Sequence, residues 1–201
     1  MSDRARLARI AAADAVFVSA MSVQKRSRVS LLAGPARETT VGCRFRCDFS
    51  DIIQLNGGFT RSRTLETVRD DLGALLTLGY RGGVFTVDDN FVGNPEAIES
   101  ILHVMIDFQR THGYPFSFYT QASLDLGSAK LAHLLPWMKA AGFPEVCLGI
   151  ENPDPAALAR MNKKQNLKVG IGETVRAIQQ GILGRARREY FRLLWKASRS
   201  T

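Results

Sequence analysis

The chain has 201 residues, 45% of them apolar and 23% charged, with a formal net charge of +8. That composition belongs to a globular protein with a core of its own and excludes a fibrous or intrinsically disordered chain. No apolar run approaches the roughly 20 residues that cross a bilayer. The positive charge is terminal: residues 1–47 carry +6 and residues 184–201 carry +5, leaving −3 between them. A nucleic-acid surface would place its basic residues on the folded body, so no nucleic-acid partner is expected. Three cysteines are too few for a disulfide framework and suit a reducing compartment. Arg4, Arg6 and Arg9 ahead of residues 10–21 mimic a signal peptide, but Asp14 interrupts the apolar stretch, so the expected location is cytoplasmic.

Residues 13–21 (ADAVFVSAM) read as a short buried strand or a helix end, and a basic linker over 24–37 follows, with Gly34-Pro35 as its turn signal. Residues 39–42 (TTVG) form a short strand that leads into Cys43. Thr64 caps a helix over 65–78, with Leu65, Val68, Leu72, Leu75 and Leu76 on one face and Gly79 as its stop. Residues 83–87 (GVFTV) are a strand whose β-branched content and short length suit a buried parallel position. Asn94 caps the next helix, with Pro95 in its first position and Gly113 behind its end. Ile98, Ile101, Leu102, Met105 and Phe108 make the apolar stripe of that helix. Residues 115–119 (PFSFY) are a third strand, and 128–141 a third helix with Leu131, Leu134, Leu135 and Met138 inward and a kink at Pro136. Residues 145–150 (EVCLGI) are a fourth strand, Asp154-Pro155 open another helical segment, and a last helix covers 172–180.

Strand alternating with helix four times predicts an α/β fold with a parallel sheet and right-handed crossovers, either a barrel segment or an open doubly wound sheet. After Gly181 the alternation stops, and residues 185–197 (RARREYFRLLWKA) read as a basic amphipathic helix that groups Tyr190, Phe191, Leu194 and Trp195. The expected organisation is an N-terminal piece with its linker over 1–37, an α/β core over 38–183 and a basic C-terminal helix over 184–201.

Parallel sheets gather their chemistry where strands end. Residues 43–50 follow the first strand, Asp88, Asp89 and Asn90 the second, Thr120, Gln121 and Ser123 the third, and Glu151 and Asn152 the fourth. Taken singly, such residues are turn or capping groups; on one parallel sheet all four sets share a rim, and that convergence marks a site. Cys43 and Cys47 stand four apart among aromatic and basic neighbours and offer the soft donors that bind zinc or iron–sulfur clusters. Zinc wants four ligands, and His103, His112 and His133 fall in segments remote from this loop. Cys147 lies within a strand, where a small buried apolar residue is the simpler reading.

Residues 42–52 (GCRFRCDFSDI) resemble the cluster loop of radical S-adenosylmethionine (radical SAM) proteins, whose motif is three cysteines spaced C-x3-C-x2-C. The segments DIIQLNG, GYRGGVFTVDDNFVGN, HGYPFSFYTQASLDL and VCLGIENPD are similar to the cobalamin-binding branch of that family, and the likeness covers residues 38–181. In the flanks, ADAVFVSAM resembles a strand of the branch's cobalamin-binding domain and GRARREYFRLLWKA part of its C-terminal extension. The resemblance implies a partial parallel (β/α) barrel of four βα units holding a [4Fe–4S] cluster on three thiolates. It further implies SAM bound to the open iron, an electron donor, and a 5′-deoxyadenosyl radical generated for a small-molecule substrate that the sequence does not name. Carried over residue by residue, Cys43 and Cys47 are cluster ligands and Ser50 stands in the third position. Asp88 and Asp89 fall in the loop that approaches the SAM amino group, and Thr120, Gln121 and Glu151 fall at the SAM or substrate pocket. Phe45 and Phe49 either shield the cluster or pack the loop.

This sequence departs from the pattern in three places. Ser50 replaces a thiolate by a harder oxygen of much higher pKa. Gln121 stands where the branch more often has Glu. No D-x-H-x-x-G motif is present, which argues against cobalamin binding in a chain that reads as truncated. Two other functions are therefore carried beside the enzyme. One is a degenerate, truncated paralogue without activity, self-associating through an unpaired sheet edge. The other is a module whose basic tail contacts a membrane surface or a partner, although its apolar stripe is expected to find its own domain first.

Overall fold

The computed structural model describes residues 15–16, 39–168 and 170–183. The basic linker, the basic C-terminal helix over 184–201 and all of the N-terminal piece except Ala15–Val16 lie outside the described residues.

Six strands are described, in chain order β1 (Ala15–Val16), β2 (Thr40–Val41), β3 (Arg61–Ser62), β4 (Gly82–Thr86), β5 (Phe116–Ala122) and β6 (Glu145–Leu148). Strands β1, β4, β5 and β6 form one parallel sheet in that order, and β2 pairs with β3 in a separate antiparallel ribbon. The strand expected over 39–42 is therefore not the first strand of the parallel sheet, whose place is taken by β1. The reason is local: β2 is two residues long, and the Thr40 N–H is spent on the Asp88 carboxylate. Gly42, at φ +92°, then turns the chain where a Cβ would meet the Phe59 carbonyl oxygen at 2.5 Å.

The helices are α1 (Ile52–Asn56), α2 (Leu65–Thr77), α3 (Pro95–Thr111), α4 (Leu134–Ala141), α5 (Pro155–Arg160), α6 (Lys164–Leu167) and α7 (Ile171–Leu183). The caps of α2 and α3 form as the sequence predicts: Thr64 Oγ1 accepts from the Thr67 N–H at 3.3 Å and Asn94 Oδ1 from the Ala97 N–H at 3.4 Å. All five stripe residues of α3 are buried, whereas the stripe of α2 begins a turn late because Leu65 is exposed. Helix α4 starts at Leu134 rather than at 128, after a 3-10 turn over Leu124–Gly127. Pro136 thus falls in the first turn, where no N–H donor is required of it, and the expected kink has no cause.

Side chains from α2, α3, α4, α7 and one side of the sheet build a single core. Gln109, fully buried on α3, ties three elements: its Nε2 donates to the carbonyls of Phe116 at 2.7 Å and Ala141 at 3.0 Å, while Oε1 accepts from the Phe116 N–H at 3.3 Å. Burial alternates along β5: Phe116, Phe118, Thr120 and Ala122 face the core, and Ser117, Tyr119 and Gln121 face the other way. Glu145 and Cys147 of β6 pair with Tyr119 and Gln121 and share their more open side. Among the described residues no helix is long and apolar enough to cross a membrane.

Candidate functional site

Asp88, Asp89 and Asn90 follow β4 and fasten the ribbon to the sheet's C-terminal edge. Asp88 is 1% exposed. Its carboxylate accepts from Thr39 Oγ1 at 2.9 Å on both oxygens, from the Thr40 N–H at 2.5 Å and from Thr40 Oγ1 at 3.2 Å. Burial pushes its carboxyl above the ordinary range, against the pull of these hydrogen bonds. Asp89 Oδ2 accepts from the Gly42 N–H at 2.8 Å and from Asn56 Nδ2 at 3.0 Å, which sets the residue before Cys43. Asn90 Oδ1 accepts from the N–H and hydroxyl of Ser123 at 3.0 and 3.1 Å, joining the exits of β4 and β5. Asp125, bonded by the Ser123 hydroxyl, pairs with Arg44 at 2.6 Å.

The thiol loop hangs from these anchors. Cys43 is half-buried and Cys47 buried, both as free thiols. Burial raises the Cys43 thiol; the Phe45 N–H opposes this, Cys47 and Asp89 raise it further, and Lys163 lowers it. Cys43 thus feels the second sulfur, the Asp89 carboxylate and one buried ammonium. Residues 47 to 50 form a turn closed by the Ser50 N–H on the Cys47 carbonyl at 3.1 Å, which brings Ser50 round beside Cys47. Glu151, at φ +63°, follows β6 and accepts from Lys163 Nζ at 3.0 Å, and that ammonium lies 5.3 Å above the Phe49 ring.

The structure therefore gathers Cys43, Cys47, Ser50, Asp88, Asp89 and Glu151 at one edge. Gln121 is exposed on the open side of β5. Thr120 turns to the core side, fully buried, with Oγ1 near the Thr86 carbonyl at 3.5 Å. Phe49 is 47% exposed and half-buried Phe45 lies under the Arg44 guanidinium. Cys147 is half-buried on the open side, not sealed in the core. The sequence reading missed Lys163, Gln165 and Asn166, polar residues buried at 7%, 7% and 2% exposure. The polar run KKQN over 163–166, between two helical signals, is the trace they leave in the sequence.

The donor chemistry decides what can be held. Among the described residues no three His, Cys, Asp or Glu side chains converge on a metal-ion position, so a four-ligand zinc centre does not fit. A cluster that carries its own sulfides needs fewer, softer donors, and Cys43 and Cys47 supply two, with the harder Ser50 oxygen at the third position. Among the described residues three buried polar atoms have no partner: Ser62 Oγ on β3, Asn90 Nδ2 after β4 and Asn166 Oδ1 on α6.

No protein-family model matches the chain. The hopanoid C-2 methylase of Rhodopseudomonas palustris (strain TIE-1) is 38% identical over 137 residues, 68% of this chain and 26% of that protein. An uncharacterized methyltransferase of Synechocystis sp. (strain ATCC 27184 / PCC 6803 / Kazusa) is 39% identical over 134 residues, 67% of this chain and 25% of its own length. The chain thus spans about a quarter of the curated relatives it matches. The radical SAM methyltransferase TsrM from Kitasatospora setae, solved with cobalamin and a [4Fe–4S] cluster bound, superposes with a TM-score of 0.59 at 19% identity, over 73% of this chain and 28% of TsrM. The cobalamin-dependent SAM radical enzyme OxsB, with aqua-cobalamin bound, gives 0.54 at 18% identity, over 72% and 22%.

The parallel sheet with a two-thiol loop at its C-terminal edge is folded like the matched parts of TsrM and OxsB. Over two thirds of its length the chain is thus similar in sequence to two methyltransferases, and in fold it resembles enzymes of the cobalamin-binding radical SAM branch.

Proposed function

We propose that the chain is the cluster- and SAM-binding core of a radical SAM protein of the methyltransferase type. The observation that carries this reading is the meeting of the Cys43–Cys47 loop with the exits of β4 and β6 on one edge, in a sequence 38% identical to a methylase. Cys43 and Cys47 would hold a [4Fe–4S] cluster, with the Ser50 oxygen as third donor. A reduced cluster held there would supply the one electron that cleaves SAM to methionine and a 5′-deoxyadenosyl radical.

The chain's own residues prepare the place. Asp88 and Asp89 hold the ribbon so that the loop begins at a fixed point on the rim. Asn90 ties the exits of β4 and β5 together through the N–H and hydroxyl of Ser123. Lys163, desolvated beside Glu151 and Phe49, brings positive charge to the site and opposes the rise that burial imposes on the Cys43 thiol. The β/α barrel arrangement is supported by strands that lie beside one another in chain order. The substrate to be methylated, and any cobalamin, belong in this reading to parts of the relatives that the described residues do not match.

The test is anaerobic reconstitution with iron and sulfide, followed by SAM and dithionite. The expected result is retained iron, visible iron–sulfur absorption and release of 5′-deoxyadenosine. A protein that stays iron-free while both thiols alkylate freely would overturn the reading.

A further inference from the structure

The turn joining α5 to α6 grips the thiol loop from the far end of the sequence. The Met161 carbonyl accepts from the Asp48 N–H at 3.1 Å, and Asn162 Nδ2 donates to the Arg46 carbonyl at 2.7 Å and to Asp48 Oδ1 at 3.3 Å. Gln165 Nε2 then reaches Cys47 Sγ at 3.5 Å. Gln165 and Cys47 are 7% and 9% exposed, so water competes little for either group. A sulfur that ligates iron is a thiolate and accepts only, whereas an amide nitrogen only donates, so the contact has one polarity. The adjacent Asn166 donates to the carbonyls of Gly149 and Ile150 at 3.0 and 2.9 Å, which anchors the same turn to the exit of β6. Gln165 is thereby held from both sides with its N–H on the sulfur.

We propose that Gln165 is a positioning residue for the iron–sulfur site, its amide N–H donating to the Cys47 sulfur and raising the reduction potential of the cluster bound there. The inference rests on the cluster-binding reading above and deepens it. Hydrogen bonds to ligating sulfur stabilise the reduced, more negative state, and they are among the levers that set cluster potentials.

The test is a redox titration of the reconstituted parent, Gln165→Leu, Gln165→Met and Asn162→Ala, followed by visible absorbance under argon. In Gln165→Leu and Gln165→Met, iron content matches the parent while the midpoint moves to lower potential. At the parent's midpoint their ratio of reduced to oxidised cluster falls by at most about tenfold, since only the part of the hydrogen bond that strengthens on reduction counts. Asn162→Ala loosens the loop, retains less iron and keeps the parent's potential. A parent that takes up no iron overturns the cluster reading and the role together. A parent that loads, with the same potential in whichever Gln165 variant also loads, overturns the role alone. A shift in Asn162→Ala as large as in Gln165→Leu also overturns it, since loop placement rather than the N–H would then set the potential.

Discussion

Ser50 is where the thiol loop asks most of its chemistry. A hydroxyl at the third ligand position gives up its proton far less readily than a thiol and offers iron a hard oxygen. The turn closed on the Cys47 carbonyl nevertheless keeps position 50 beside Cys47, where the proposed cluster would need its third donor. Ser50→Cys is expected to raise iron retained after anaerobic gel filtration toward about four per chain, the count of a [4Fe–4S] cluster; equal iron in both proteins would show that the hydroxyl at position 50 does not limit cluster retention. Asp88 is a second residue with a measurable signature. Its carboxyl is raised by burial, so the folded state binds that proton more tightly than the unfolded chain does. Stability from this group is complete below the ordinary value of 3.8 and is lost as pH rises through the raised value. Asp88→Asn removes the titration, so its melting temperature should gain on the parent's as pH climbs above 4, whatever the offset from altered hydrogen bonds. Melting temperatures at several pH values check this, and a constant difference would contradict it.

At the scale of elements, caps and stripes were legible and partnerships were not. Thr64, Asn94 and Asp154 announce helix starts because each places an acceptor beside unpaired N–H groups, a local matter that sequence encodes directly. The pairing of β2 with β3 was not legible, because a two-residue strand carries no periodicity and its Thr40 N–H answers to Asp88, 48 residues away. Helix α6, four residues with Gln165 and Asn166 buried, was invisible for the same reason: polar side chains read as surface until their distant partners are seen. The site followed suit, its thiols and acids plain in the sequence and its brace at 162–166 hidden. Asp154 tests how far that brace depends on α5. Its carboxylate accepts from the N–H groups of Ala156 at 3.0 Å and Ala157 at 3.2 Å, so Asp154→Ala should cost about 1 kcal/mol in urea denaturation. It should also speed alkylation of Cys47, because α5 leads straight into the turn that covers that thiol. Unchanged alkylation at the reduced stability would separate the helix start from the brace.

Across the whole molecule, burial is one-sided. The helices cover the side of the sheet that carries Phe116, Phe118 and Val146, while Tyr119, Gln121, Glu145 and Cys147 occupy the less covered side. Among the described residues β6 pairs on one flank only, with β5, and an edge of unpaired N–H and C=O groups is a template for another strand. A second source of association lies at the rim, where Phe49, Leu55 and Phe59 are 47%, 58% and 61% exposed. The two can be told apart. If the strand edge drives self-association, sedimentation of the parent rises with concentration and Cys147→Lys, which places a charge on β6, suppresses the rise. Leu55→Ser with Phe59→Ser would leave it intact. Suppression by the rim pair and not by Cys147→Lys would assign association to the apolar surface beside the thiol loop, and sedimentation independent of concentration would remove both. The edge is favoured on physical grounds. Its backbone groups lose hydrogen bonds to water in any approach and recover them only by pairing, whereas the rim aromatics are already partly covered, Phe49 by the Lys163 ammonium and Phe59 by the Arg61 guanidinium at 5.5 Å.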